Sequence, residues 1–148
     1  MEGVALNAEL KVFIAAPFFS QAEKEFNSKI AEFLRDNGFE VWMAQENPFI
    51  ASENKEEKRR IFEMDLSALK SCDVVVAILD GECIDSGTAF ELGYAYAIGK
   101  PIIGIKTDYR TFSPIEELNL MIEVAVRLVK ASTFEELKER LLEELREC

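Results

Sequence analysis

Residues 73–79 read DVVVAIL. The run is apolar, rich in β-branched side chains and free of polar alternation. A strand with one wet face alternates, whereas a continuous run needs cover on both faces. That is the condition of a strand inside a parallel sheet. Parallel strands cannot be joined by tight hairpins; each connection needs a crossover of a dozen residues or more, usually a helix. The rest of the chain must therefore supply further short strands separated by helices.

It does so. KVFIAA (residues 11–16) predicts a first strand and FEVWMA (39–44) a second. PIIGI (101–105) predicts a fourth strand, with Pro101 at its first position, where no ladder donor is required. VAVRLV (124–129) predicts a fifth. Between them, Phe26, Ile30, Phe33 and Leu34 fall at helical spacing over residues 21–36, closed by Gly38 as a C′ residue. A polar loop leads to a charged helix over residues 54–71, its apolar face formed by Ile61, Met64, Leu66, Ala68 and Leu69. An Ala-rich helix is expected over 88–98, stopped by Gly99. Pro114 at an N1 position predicts a helix over 115–122, and Ser132 or Thr133 caps a last helix with glutamates in its first turn.

This alternation predicts an α/β fold: a three-layer α/β/α sandwich on a five-stranded parallel sheet in the flavodoxin-like order 2-1-3-4-5. With 148 residues, one domain spanning 1–148 is expected. In that order a ligand site lies outside the carboxyl ends of the strands, at the switch point between strands 1 and 3. The loops there are residues 16–20 and 80–87.

Charge and composition then exclude several functions. Seventeen basic residues against 28 acidic ones leave a net charge of −11. That disfavours nucleic acid and anionic membranes as partners, since both attract a basic face. No apolar stretch approaches the roughly 18–20 residues of a spanning helix, and residues 1–10 lack the form of a signal peptide. The three cysteines, Cys72, Cys83 and Cys148, fit no zinc spacing and read as reduced thiols, so a cytoplasmic location is expected. The chain has no histidine. Ser-His-Asp and Cys-His catalysis are thereby excluded. Any acid–base chemistry falls to carboxylates or water. No metal or cofactor site is readable.

The switch-point loops gather Asp80, Asp85, Ser86, Thr88 and Glu91, with Asp65 one helix earlier. Each has two readings. Glu91 in the opening of a helix, flanked by Phe90 and Tyr94, suits a poorly solvated carboxylate that stays ionised and acts as a nucleophile. Equally, Thr88 and Glu91 suit a capping box. Asp85 suits a turn before Gly87. Asp65 suits a solvated helix face, as do the basic residues of KEEKRR (55–60). Phe18 and Phe19 either line a flat ligand's pocket or pack under the last helix. Trp42 reads as core. Asp80 after strand 3, with a Lys–Pro pair further on, also suits a phospho-accepting receiver domain, but IAAPFF offers none of the acids such a domain uses to hold magnesium.

The segment Asp–x–Gly–Thr–Ala–Phe–Glu–Leu–Gly (85–93), with KVFIAAPFF before it and LNLM (118–121) after it, resembles the nucleoside 2-deoxyribosyltransferase family and its sister group of deoxynucleoside 5′-monophosphate N-glycosidases. The resemblance implies deoxyribose transfer between nucleobases, or N-glycoside hydrolysis, without a cofactor. It implies Glu91 as nucleophile at C1′, and Asp65 as the acid that meets the nucleobase. Asp85 would hold the 5′-hydroxyl. Asn119 would reach the same hydroxyl from a neighbouring subunit, with Met121 beside it, which makes the protein a homo-oligomer. Gly87 and Phe18 would border the substrate, and either Gln45 or Asn47 would read the base. Phe13 stands where many transferases carry a tyrosine. The N-glycosidases carry serines where Asp85 and Asn119 stand, so this pair favours nucleosides over 5′-monophosphates: two unit charges 4 Å apart repel by about 1 kcal/mol in water, and more when partly buried.

Overall fold

The computed structural model describes residues 10–47 and 53–148. The expectation of no signal peptide over residues 1–10 falls almost wholly outside these, and residues 48–52 of the expected polar loop do too. In chain order the elements are β1 (Lys11–Ala15), α1 (Gln21–Asp36), β2 (Glu40–Met43), α2 (Lys55–Ser71), β3 (Val74–Ile78), α3 (Ser86–Ala97), β4 (Ile102–Lys106), α4 (Leu120–Ala125), β5 (Arg127–Lys130) and α5 (Phe134–Arg146). All strand pairs are parallel, in the order β2-β1-β3-β4-β5. The fold is the expected α/β sandwich.

β3 shows why its sequence is continuous. All five residues are buried, and their period of two sends Val74, Val76 and Ile78 to one layer and Val75 and Ala77 to the other. The first layer packs against Ile30 and Leu34 of α1 and Leu137, Leu141 and Leu145 of α5. The second packs against Leu69 of α2 and Leu92 and Ala95 of α3. Burying side chains of this size on both faces contributes about 1.5–3 kcal/mol each. β4 meets a closer constraint. A Cβ on Gly104 would lie 2.7 Å from Leu79 Cδ1 and 3.0 Å from Val126 Cγ2, so any side chain there would push against both.

Helix starts follow their caps. Ser20 and Glu23 form a capping box on α1, Asn54 accepts from Glu56 and Glu57 on α2, and Thr133 caps α5. Two expectations fail after β4. No helix runs over 115–122. Pro114 instead sits in a tight turn in which the Ser113 N–H donates to the Glu116 carbonyl at 3.1 Å. Its fixed φ serves a turn as well as a helix N1 position. Asn119 caps α4, which runs through Ala125 and so shortens β5 to four residues. Val124, expected in the strand, is 76% exposed. No described helix is long and apolar enough to cross a membrane.

Candidate active site

β1 and β3 are neighbours at the point where strand order reverses, so the crevice past their carboxyl ends is open. A cavity of about 440 Å³ fills it. The β1–α1 loop contributes Ala16, Phe18 and Phe19; the end of β2 contributes Trp42; α3 contributes Gly87, Phe90 and Glu91, with Asp85 at its cap. α2 turns Lys58, Ile61, Phe62, Asp65 and Leu66 toward it, one helical face at i, i+3, i+4, i+7 and i+8. Phe62 and Phe90 meet across the two helices with ring centroids 6.0 Å apart, and Phe18 stacks on Phe19 at the same separation.

Asp65 and Glu91 come from different helices and hydrogen-bond to each other through their carboxyl groups. Two ionised carboxylates would repel each other there, so the bond favours a proton on one of them. Burial pushes Glu91 up to about 9, helped by the bond to Asp65 and by the charges of Asp65 and Asp85. Burial raises Asp65 as well, while the bond to Glu91 pulls it back. The two titrate as a unit. Glu91 therefore does not rest as the ionised carboxylate expected from its place in the helix. It is the sixth residue of α3, past the first turn where the dipole acts.

The dipole's end is taken by Asp85. Its Oδ2 accepts from the Thr88 N–H at 2.9 Å and from the Thr88 hydroxyl at 3.1 Å. The helix thus opens two residues earlier than expected, and Glu91 takes no part in a capping box. Among the described residues, Oδ1 of Asp85 accepts no hydrogen bond, and Asp85 lines the cavity. Gly87 leaves room for this arrangement, since a Cβ there would lie 3.2 Å from Oδ2.

Asp65, Asp85, Gly87, Phe18 and Glu91 are thus brought together. Other expected residues are not. Phe13 is fully buried, stacked at 5.0 Å beneath Trp42, and does not border the cavity. It supports Trp42 rather than touching a substrate. Gln45 borders a small void below Glu91, but its amide is committed to α1: Oε1 accepts from Asn27, and Nε2 donates to the Lys24 carbonyl and to Ser28. Asn47 donates to the Met43 carbonyl and lies apart from the cavity. Asn119 and Met121 open α4 and line no part of the Glu91 cavity within one chain; Asn119 instead borders a second cavity of about 300 Å³.

Three lining residues went unread in the sequence. Trp42 is half-buried: it packs against the core, as expected, and also forms a wall of the cavity. Phe62 and Lys58 share the helical face of Asp65, a spacing visible in the sequence. The chosen apolar face of α2 holds much of the same wall, because only Leu69 of that helix is fully buried. Asp80 has a structural task. It accepts from the Thr107 N–H at 2.6 Å and from the Asp108 N–H at 3.1 Å, tying the loop after β3 to the loop after β4.

A crevice with aromatic walls and two carboxyl groups holding one proton, in a chain without histidine, is equipped for carboxylate chemistry on a flat, ring-bearing small molecule. Residues 12–138 match the family model described as nucleoside 2-deoxyribosyltransferase, and the chain belongs to that family. The family is enzymatic and acts on nucleosides and their bases. Among solved structures, a 2-deoxyribosyltransferase of the psychrotolerant bacterium Bacillus psychrosaccharolyticus is 29% identical, covers 86% of this chain and 90% of its own, and superposes with a TM-score of 0.73. A conserved protein of Enterococcus faecalis is 30% identical over 94% of this chain and 98% of its own, with a TM-score of 0.74. A CMP N-glycosidase of Clostridium botulinum shares the fold at 22% identity, over 88% of this chain and 97% of its own, with a TM-score of 0.62. A search of the curated proteins finds no match.

Proposed function

We propose that the protein is a nucleoside 2-deoxyribosyltransferase that works through a glycosyl ester on Glu91. The observation that carries this reading is the meeting of Asp65 and Glu91, brought from two helices, in an aromatic-walled cavity that Asp85 also lines. A nucleobase leaves a sugar readily only if its ring nitrogen is protonated, and a nucleophile attacks only once it has lost its proton. One movement meets both needs. The shared proton passes through Asp65 to the base; Glu91, now a carboxylate, attacks C1′; the C1′–N bond breaks and its electrons stay with the departing nitrogen. A second base then gives its N–H proton to Asp65, attacks C1′ from the opposite face and expels Glu91. Two inversions give net retention. Water in place of the second base gives hydrolysis.

Asp85 supports the choice of a nucleoside over its 5′-monophosphate. Its Oδ1 is available to accept from a neutral 5′-hydroxyl, and its charge repels a phosphate. Asn119 completes the grip from a second copy of the chain. Its Oδ1 accepts from the Met121 N–H, which leaves its amide N–H groups to donate. Leu120, Met121 and Val124 of α4 and Tyr96 and Ile98 at the end of α3 are all exposed, an apolar face that a neighbouring subunit covers. The three free thiols fit a protein of the cytoplasm.

Incubation with deoxyinosine and adenine tests the reading. Newly formed deoxyadenosine supports transfer, and free deoxyribose as the sole sugar product rejects it in favour of hydrolysis. Full activity of Glu91→Ala would refute the covalent mechanism.

A further inference from the structure

We propose that Lys58 selects the nucleobase, favouring bases that carry a carbonyl oxygen on the edge far from the sugar over bases that carry an amino group there. The inference rests on the reading of the cavity as a nucleoside site and adds the chemical class of base that it takes.

Lys58 looks like an ordinary surface lysine in the run KEEKRR. It is exposed, yet it lines the cavity on the helical face that carries Asp65, and it is the one cation among the described lining residues, which include three carboxyl side chains. The neighbouring Arg60 is tied to Glu57. Lys58 forms no ion pair with any described residue, so its ammonium is not spent on the protein.

Lys58 stands seven positions before Asp65, about 10 Å along the axis of α2. A base that lies along this face, between Asp65 and Lys58, passes Phe62 and brings its exocyclic groups within reach of the flexible lysine side chain. Flat aromatic walls accept any base by stacking and discriminate little between them. The ammonium does discriminate, because it has three donors and no acceptor. The exocyclic oxygen of a 6-oxopurine or a 2,4-dioxopyrimidine accepts from it. The exocyclic amino group of a 6-aminopurine or a 4-aminopyrimidine offers only N–H donors and leaves the cation facing a donor.

The test compares kcat/KM for deoxyinosine against deoxyadenosine, and for deoxyuridine against deoxycytidine, in the wild type, Lys58→Met and Lys58→Arg. Lys58→Met is expected to lower both oxo-over-amino ratios by about tenfold, the scale of one charge-assisted hydrogen bond. Lys58→Arg, which keeps the charge and the donors, is expected to hold the ratios within about threefold of the wild type. Ratios that do not move in Lys58→Met overturn the inference, as does an equal fall in Lys58→Arg. Calorimetric binding of free hypoxanthine and adenine separates this proposal from the reaction it rests on. A hypoxanthine preference lost in Lys58→Met, in a protein that cleaves no nucleoside, would uphold the base selection and reject the reaction. No preference in the wild type would reject the base selection alone.

Discussion

Replacing Glu91 by Gln changes how stability depends on pH, and the size of the change follows from one proton. In the folded protein the Asp65–Glu91 pair holds a proton up to about pH 9, whereas an unfolded glutamate releases it near 4.5. The native-state carboxyl is thus raised. Its contribution to stability is complete below the unfolded value and is lost as pH climbs toward the folded one. A one-proton difference costs at most about 1.36 kcal/mol per pH unit. From about pH 5.5 to about pH 7.5 the ceiling is therefore about 2.7 kcal/mol, and water reaching the open cavity reduces the expected loss to about 2 kcal/mol. A glutamine at position 91 donates to Asp65 as the protonated acid does, but it cannot titrate, so the variant escapes this loss. Urea unfolding read from Trp42, the single tryptophan, measures both proteins across the range. The stability gap should widen by about 2 kcal/mol in favour of Glu91→Gln as pH rises. The absence of histidine makes the test sharp, because no unperturbed side chain ionises in that window. Parallel curves for the two proteins would refute the shared proton, and with it the proton route proposed for catalysis.

Asp65→Asn removes the group that carries the proton to the base, and steady-state assays should show kcat lower by about 10²–10⁴-fold. At position 85, serine keeps a helix cap and alanine does not. Asp85→Ala should therefore lose about 1 kcal/mol of stability on thermal unfolding, and Asp85→Ser far less. Asp85→Ser should also raise the monophosphate-to-nucleoside ratio of kcat/KM by about tenfold as the repelling charge goes. If Asn119 crosses to a neighbour, Glu91→Ala and Asn119→Ala are each inactive or weak alone, but mixing them through an unfolding and refolding cycle should restore activity; no recovery would place Asn119 outside the site. Gly104→Ala forces a methyl group against Leu79 and Val126 and should destabilise the fold by about 1–3 kcal/mol on urea unfolding.

What the sequence made legible, and what it hid, divides along the distance over which each property is set. β3 came from a local apolar run that needs cover on both faces, and the sheet order from the alternation of strands with helices. Glu91 could be located the same way, since topology alone leads to the loops over β1 and β3. Its protonation could not. That depends on Asp65, which arrives from another helix, and no spacing within 85–93 reports it. Caps carry the same lesson at short range. Asp85, Thr88 and Glu91 permit two helix starts, and the choice falls to Asp85 because it can accept from both the Thr88 amide and the Thr88 hydroxyl. Pro114 reads as a helix start in the sequence, and the pairing of Ser113 with Glu116 makes a turn there instead. The second role of Trp42 was hidden for a related reason. An aromatic on an alternating strand is core only if something covers it, and here α2 stands off far enough to leave a cavity. Phe13 lies under that ring, so it sets the floor of Trp42 and borders no part of the cavity. A hydroxyl added by Phe13→Tyr would enter a fully buried position and disturb that floor before it touched the cavity.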